Sequence, residues 1–405
     1  QEPGYVAELL RSPSLGPAIT AWAAENGFSG EELAWIQPGY PPNTLWTAVG
    51  GGTNGAVHVL LELPDGSMAI AGEFTEAGGM PVNNVVRWDG AGFLAMGNGV
   101  AGTITCGVVL GDDVYLGGYS LNGNHDLAHW DGTQWSYSTV FQGKLPQTTA
   151  LFAHQGSLYA AGISVGFAGS DYAVQMLSNG AWEPMGEGFD QVVSALAWHE
   201  GQLVAGGQFT TSAGPSGGIM QHVATLGGSG WAQLADGLDA KVNVLLSVGD
   251  TLYAGGTILL NITPRFGLAR ISGGGAPWQP LLPNAASYVN NAPGPAEVMA
   301  LAPTGAGLYV GGSFGLYQGT LLGQHLAFFS GTPDDLMPVA VFNNPVHALA
   351  RNLQGNDLVG LYAGGAFTEN AFDTVPHLAE TTISTGMHPM RGAPAGLIAY
   401  PDPAD

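Results

Sequence analysis

One short phrase recurs along the chain and limits its possible folds more than any other feature. It reads LYVGGSF at 308–314 and LYAGGAF at 361–367, and shorter copies occur earlier. Aligned on the second small residue, seven copies follow one another at spacings of 44 to 56 residues, at Gly72, Gly118, Gly162, Gly207, Gly256, Gly312 and Gly365. A repeat of this length predicts an array of equivalent supersecondary units.

Each repeat divides into four short runs typical of β-strands, separated by turn sequences. The phrase is the second run; a Val-x-small-Leu run precedes it, an apolar pair follows it, and an aromatic residue usually opens the fourth run. Pairs such as Asp89 and Gly90, or Asp131 and Gly132, supply the turn before the fourth run. This pattern predicts one all-β domain over residues 44–392, a seven-bladed β-propeller of four-stranded antiparallel blades.

The two ends of the repeat array complement each other. The seventh copy has three runs, ending near Leu378, whereas an isolated run of the fourth type begins at Trp46, before the first copy. We expect the Trp46 run to pair with the Leu378 run and close the propeller, because closure removes open sheet edges.

Residues 1–43 do not fit the repeat and read as a small helical appendage. Ser29 opens a capping-box sequence, and apolar residues before it recur at helical spacing. Trp22 and Trp35 are the candidate contacts to another subunit. The alternative is that this segment packs on the flank of the propeller itself.

Charged residues are few and mostly acidic: the chain has 31 Asp and Glu, 8 Lys and Arg, and a net charge of −23. Such a surface repels the phosphates of nucleic acids and of anionic membranes. No run approaches the roughly 20 apolar residues of a membrane span. We therefore expect neither a nucleic-acid partner nor an integral membrane protein.

The repeat, with its GG-x-F and W-D-G-x-x-W sequences, resembles the kelch-like and galactose-oxidase-like β-propeller repeats over residues 44 to about 390. The end of the chain, GLIAYPDPAD at 396–405, resembles the start of a type IX secretion sorting domain of the Bacteroidetes, with Asp402 where Asn is usual. Residues 393–405 are accordingly read as a tail of that kind. This resemblance implies an exported protein, extracellular or on the outer-membrane surface.

The spacing of reactive residues reveals no catalytic set, so we expect a non-catalytic protein without a cofactor. Cys106, the single cysteine, falls in a small slot of a first run and reads as a packed core thiol. The histidines lack metal-ligand spacing, although a metal between His58 and His347 is a minor alternative. A Ca²⁺ site using Glu73, Glu76, Asn83 and Asn84 is left open.

Two groups of residues are candidates for binding. Seven residues share the second position of the first runs and are expected to line the central channel around bound water: His58, Thr105, Thr149, Ser194, Asn243, Met299 and His347. The long loops meet at one end of the propeller and are rich in aromatic and amide groups, which suit glycan or protein ligands. The candidates on that face are Tyr119, His125, Phe167, Tyr172, Tyr288, Asn290 and Tyr317.

The resulting hypothesis is an exported, non-catalytic binding or structural component that acts outside the cell or on its surface. Its partner would be a protein or a glycan, with possible self-association through residues 1–43. Three alternatives stay open: a glycan-binding adhesin, a subunit of an extracellular filament or surface assembly, and a hydrolase or lyase whose site the sequence does not reveal.

Overall fold

The computed structural model describes residues 46–382, apart from 165–171, 214–216, 259, 261–266, 274–275, 282–295, 306, 318–320, 331–335, 355–356 and 371–372. The predicted appendage and tail, with Trp22 and Trp35, lie outside the described residues, as do Phe167, Tyr288 and Asn290. Every regular element of the described part is a β-strand, which confirms the all-β prediction there. In that part, no helix has the length and apolar character needed to cross a bilayer.

The strands form six groups of four and a seventh group of three, here called sheets 1 to 7, and β1 (Thr47–Ala48) precedes them. Sheet 1 contains β2 (Val57–Glu62) and β3 (Met68–Gly72) and, after a hairpin of β4 (Glu76–Ala77) and β5 (Met80–Pro81), β6 (Val85–Trp88) and β7 (Phe93–Ala95). Sheet 2 contains β8 (Thr103–Leu110), β9 (Asp113–Leu121), β10 (His125–Trp130) and β11 (Trp135–Ser138). Sheet 3 contains β12 (Gln147–His154), β13 (Ser157–Ile163), β14 (Tyr172–Ser178) and β15 (Ala181–Pro184).

The second half of the chain repeats this arrangement. Sheet 4 contains β16 (Val193–His199), β17 (Gln202–Gly207), β18 (Val223–Gly227) and β19 (Gly230–Gln233). Sheet 5 contains β20 (Val242–Val248), β21 (Thr251–Gly256), β22 (Leu268–Ser272) and β23 (Gln279–Pro280). Sheet 6 contains β24 (Glu297–Thr304), β25 (Gly307–Tyr317), β26 (Leu321–Phe329) and β27 (Leu336–Val341). Sheet 7 contains β28 (Val346–Gln354), β29 (Asp357–Gly365) and β30 (Leu378–Thr382).

The strands pair antiparallel in chain order, and sheet 7 takes its fourth strand from the start of the described chain. Thr47 pairs with Glu380 and Ala48 with Ala379, so β1 lies alongside β30 as predicted. One further pair, Tyr119 with Gln147, joins sheets 2 and 3 into a continuous eight-stranded sheet.

The first strands of the sheets pack against one another in a closed order. Each first strand from β2 to β28 contacts the first strand of the next sheet, and β28 contacts β2. The apolar core fills the spaces between neighbouring sheets: Val57 and Ile70 of sheet 1, for example, pack with Tyr362 and Leu378 of sheet 7. Each sheet is therefore buried mainly by its neighbours.

The recurring phrase has a steric cause in this packing. A β-carbon on the second small residue would collide with a carbonyl oxygen at the start of the first strand of the same sheet; the oxygens belong to Ala56, Thr103, Gln147, Val192, Lys241, Glu297 and Pro345. A β-carbon on Gly364, the first small residue in sheet 7, would lie 2.5 Å from Val57 Cγ1 of sheet 1. The small residues thus allow close approach of neighbouring chain segments.

The aromatic residue that opens the fourth run also has a physical role. Trp135 Nε1 donates to Met96 O of the preceding sheet over 2.8 Å, and Trp231 Nε1 donates to Met185 O over 2.6 Å. Trp278 Nε1 makes the equivalent bond to Leu234 O at 3.4 Å. These indoles tie the outer strands of adjacent sheets together.

Candidate functional site

A β-bulge interrupts all seven first strands at the same position. The strand pairing skips one residue in each, and the seven skipped residues are the predicted channel residues His58, Thr105, Thr149, Ser194, Asn243, Met299 and His347. A bulged residue is left unpaired and its side chain is re-aimed out of the ladder. None of the seven is fully buried, so they border accessible space. That water fills this space stays a prediction.

Several bulged side chains bond to the backbone of the next sheet. Thr105 Oγ1 donates to Thr148 O over 3.1 Å, and Thr149 Oγ1 donates to Val193 O over 2.6 Å. Asn243 Nδ2 donates to Val298 O over 3.0 Å. Each accepting carbonyl immediately precedes the bulge of the next sheet. The bulges of adjacent sheets therefore lie next to each other, and corresponding ends of the sheets lie on the same side of the molecule.

His58 and His347 meet where sheet 1 contacts sheet 7, with their rings stacked and the centroids 5.0 Å apart. Burial lowers the pKa of His58, although Glu73, 3.9 Å away, acts in the opposite direction. Burial and then the neighbouring His58 lower the pKa of His347 to about 4, against the opposing effects of the Val57 backbone and Glu297. Both rings are therefore neutral at pH 7.

An ion pair between Lys241 and Glu297 lies next to the two histidines, on the side of His347. Lys241 Nζ lies 2.6 Å from Glu297 Oε1, and Asn243 Nδ2 donates to the same oxygen over 3.0 Å. Burial alone would raise the pKa of Glu297, but these two partners outweigh it and the pKa is lowered. The carboxylate is thus held ionised and its charge is balanced locally by Lys241.

The bulges lie near the start of each first strand, at what we call the loop end, where second strands finish and third strands begin. Glu73 and Tyr119 each follow the second small residue of their phrase at this end, and both are well exposed (58% of the Glu73 side chain, 43% of Tyr119). We name the seven bulge residues together with Glu73, Tyr119, Lys241 and Glu297 the polar mouth.

The other predicted face residues also lie at the loop end but on separate sheets. His125 opens β10, where its Nδ1 is 3.4 Å from Thr139 Oγ1 and its ring stacks on Tyr137. Tyr172 opens β14 opposite Ile163, and the backbone of Tyr317 ends β25. The structure therefore puts Tyr119 beside the bulges and distributes the others around them.

Two of the loops expected to be long are mostly strand. β9 continues to Leu121 and β10 begins at His125, so the loop of sheet 2 is only three residues long. In sheet 6, Gly315 still pairs with Gln324 beyond the phrase. In both sheets the pairing resumes beyond the small residues after a register shift, so these connections are shorter than the sequence suggested.

The described residues contain no cluster of three or more His, Cys, Asp or Glu that could hold a metal ion. Asn84, one of the candidate Ca²⁺ ligands, adopts a left-handed backbone (φ 61°) and donates its amide to Val100 O and Gly102 O, both at 3.0 Å. The thiol of Cys106 is partly accessible, yet burial raises its pKa to about 12, so it is not a reactive thiolate.

Sequence reasoning missed a repeated clamp at the loop end. Asn54 Oδ1 accepts from the backbone N–H groups of Thr75 and Glu76. Asp190 does the same for Thr210 and Thr211, and Asn343 for Thr368 and Glu369. The Phe-Thr pairs that follow the phrase in these three repeats were the available signal. The clamps fix the loops that border the polar mouth.

No protein-family model matches this chain, and no curated protein sequence matches it. Among solved structures, the crystal structure of the computationally designed Ika8 protein is similar over 82% of this chain and 98% of its own, at 15% identity and a TM-score of 0.46. A crystal structure of BBS1N in complex with ARL6DN, soaked with mercury, is similar over 85% of this chain and 98% of its own, at 12% identity and a TM-score of 0.48. At these identities and TM-scores, neither likeness indicates a function for the chain.

Proposed function

We propose that sheets 1 to 7 are the blades of a closed seven-bladed β-propeller and that the polar mouth opens its central channel. The closed order of contacts among the first strands supports this architecture, and so does the pairing of β1 with β30. Bulges at one level in seven first strands are the arrangement expected when equivalent strands surround one axis.

The polar mouth is best suited to bind a neutral, hydroxyl-rich ligand such as a glycan. The observation that supports this most directly is the exposed ring of Tyr119 at the same end as neutral imidazoles, the Asn243 amide and the carboxylates of Glu73 and Glu297. Aromatic faces pack on sugar C–H groups, while a few placed polar groups fix orientation by hydrogen bonding. Lys241 is balanced by Glu297, so the residues named as the polar mouth offer no free lysine or arginine to an anionic ligand.

A binding role fits these groups better than catalysis. A pKa of about 4 leaves His347 a weak base, far from the near-neutral value that favours general acid–base chemistry at pH 7. Lys241 is engaged by a carboxylate rather than poised as a free amine. The proposal is therefore a non-catalytic binding component.

Export to the cell surface or beyond is part of the same proposal. It rests on the resemblance of 396–405 to the start of a type IX sorting domain. Immunoblotting of culture medium, outer-membrane and cytoplasmic fractions from cells that make the protein tests it. Recovery in the cytoplasmic fraction alone would overturn this part and leave ligand binding open.

A glycan array followed by calorimetry on the best-bound glycan tests the binding function. Tyr119→Ala and Glu73→Gln, both at exposed positions, are expected to weaken binding at least tenfold, which corresponds to about 1.4 kcal/mol. Leu94→Ala is the control, since Leu94 is 45% exposed and lies on β7, the fourth strand of sheet 1, away from the polar mouth. Absence of glycan binding, or wild-type affinity in both mouth variants, would contradict the proposal.

A further inference from the structure

A second concave site lies between sheets 1 and 2, at the end opposite the polar mouth. It is a groove of about 380 Å³ whose walls include Leu63, Asp65, Arg87, Leu94, Asp112 and Trp130. Asp65 and Asp112 stand in the turns that join first to second strands, which places the groove at the hairpin end of both sheets. We call it the hairpin groove. Its volume falls in the range of ligand sites.

The hairpin groove has an apolar wall held in place by hydrogen bonding. Leu94 is 45% exposed, one of the few large apolar side chains in the described residues with that much free surface. Trp130 is half-buried and packs on Trp135, whose indole donates to Met96 O over 2.8 Å. The groove therefore offers a fixed aromatic ring and an uncovered aliphatic side chain.

The polar wall carries excess negative charge and one unsatisfied donor. Arg87 forms an ion pair with Asp65, yet its buried Nε–H has no hydrogen-bond partner. Asp112 presents an exposed carboxylate, and Asp89 and Asp131 occupy neighbouring turns at the same end. Carboxylates thus outnumber the single guanidinium here, within a chain of net charge −23.

We propose that the hairpin groove docks a Lys- or Arg-containing segment of a protein partner, with an apolar residue next to the cation. The cationic side chain lies over Trp130 and pairs with Asp112, since aromatic faces and carboxylates both attract ammonium and guanidinium groups. The apolar neighbour covers Leu94. Charge complementarity selects a basic partner over an acidic one.

Fluorescence anisotropy with a labelled probe peptide, Gly-Leu-Arg-Leu-Arg-Gly, tests the proposal on the full chain. We expect a dissociation constant on the order of 10–100 μM at low salt and weaker binding at high salt, because surface charge attraction is screened. The same peptide with Glu in place of Arg is expected not to bind. No measurable binding of the Arg peptide would overturn the proposal.

Two groove variants and a matched control separate a built site from general acidity. Asp112→Asn and Leu94→Ser are expected to weaken binding at least fivefold. Asp250→Asn makes the same charge change in the equivalent turn of sheet 5 and is expected to bind like wild type. Equal weakening by Asp112→Asn and Asp250→Asn would show attraction to net charge alone and would reject the groove. The result is independent of the glycan test, which uses residues at the opposite end.

Discussion

The imidazoles of His58 and His347 stack across the contact between sheet 1 and sheet 7, with their planes only 16° apart. They are the first and last of the seven bulge residues in chain order. The titratable members of the set thus meet where the two ends of the repeat array join. Two protonated rings in this position would repel each other in a partly buried site.

We expect the chain to lose stability as the pH falls from about 6.5 towards 4. Burial lowers the pKa of both histidines in the folded state, so the unfolded chain binds more protons in this range. The two histidines therefore do not destabilise the fold at a pH above the pKa of histidine in the unfolded chain, and the free energy of unfolding falls as the pH drops below that pKa. In His58→Gln/His347→Gln, the slope of unfolding free energy against pH should fall by up to about 1.4 kcal/mol per pH unit for each histidine removed.

Urea denaturation at half-unit pH steps measures this slope. The burial-induced lowering of pKa at His154, His199, His325 and His377 leaves a residual slope in the double variant. If the unfolding free energy depends on pH equally in wild type and in the double variant, the stacked histidines do not contribute to that dependence.

Trp46→Ala tests the closing strand. Trp46 is 3% exposed, its ring packs edge-on against Phe342 at 5.6 Å, and its carbonyl accepts from Asn370 Nδ2 over 2.7 Å. Removal of a buried tryptophan costs about 3–5 kcal/mol, so we expect a large drop in the thermal midpoint. Leu145→Ala, at a 68% exposed site, should leave the midpoint nearly unchanged. A Trp46→Ala midpoint within a degree of wild type would argue against structural closure by β1.

Gly312→Ala probes the steric demand of the phrase. The added β-carbon would overlap with Glu297 O, a backbone atom that cannot move without shifting β24. Overpacking of this kind costs about 1–3 kcal/mol, visible as a lower urea midpoint. Gly228→Ala is the control, because a β-carbon there meets nothing within 4 Å. Equal stability of the two variants would contradict the steric account.

Thr149→Val tests the bonds that the bulges make between sheets. The change keeps the shape of the side chain but removes the hydroxyl that donates to Val193 O and lies 3.1 Å from Ala161 O. We expect a loss of about 1 kcal/mol in unfolding free energy. Thr149→Ser keeps the hydroxyl that makes these bonds and should be more stable than Thr149→Val. A Thr149→Val variant as stable as wild type would contradict a contribution of the bond.

The strand pattern could be predicted because its causes are local. A backbone carbonyl group lies where the side chain of residue 312 or 365 would be, so each position needs a glycine. The recurrence of that glycine is visible in the sequence itself. The pairing of β1 with β30 was predictable from counting runs, since a run of the fourth type was missing at one end of the repeat array and surplus at the other. The shared position of the bulge residues was also visible, although the bulges were not.

The remaining features depend on contacts between distant segments. The clamp from Asn54 to Thr75 joins segments 21 residues apart, on either side of β2 and β3, and the recurring Phe-Thr pair does not reveal which distant side chain binds it. Stacking of His58 on His347 requires the ring order of the sheets, and the hairpin groove requires side chains from sheets 1 and 2 together. Helical propensity likewise says nothing about where Trp22 and Trp35 lie, and both residues are outside the described part.

The bond between Asn370 and Trp46 joins residues 324 positions apart, which has a consequence for biosynthesis. At about 5–20 residues per second, β1 leaves the ribosome on the order of tens of seconds before its β-partner. Until then β1 is an unsatisfied strand, and premature termination makes that condition permanent. A nascent chain of this design therefore lacks its closing strand pair for most of its synthesis, and we expect truncated products to be susceptible to proteases.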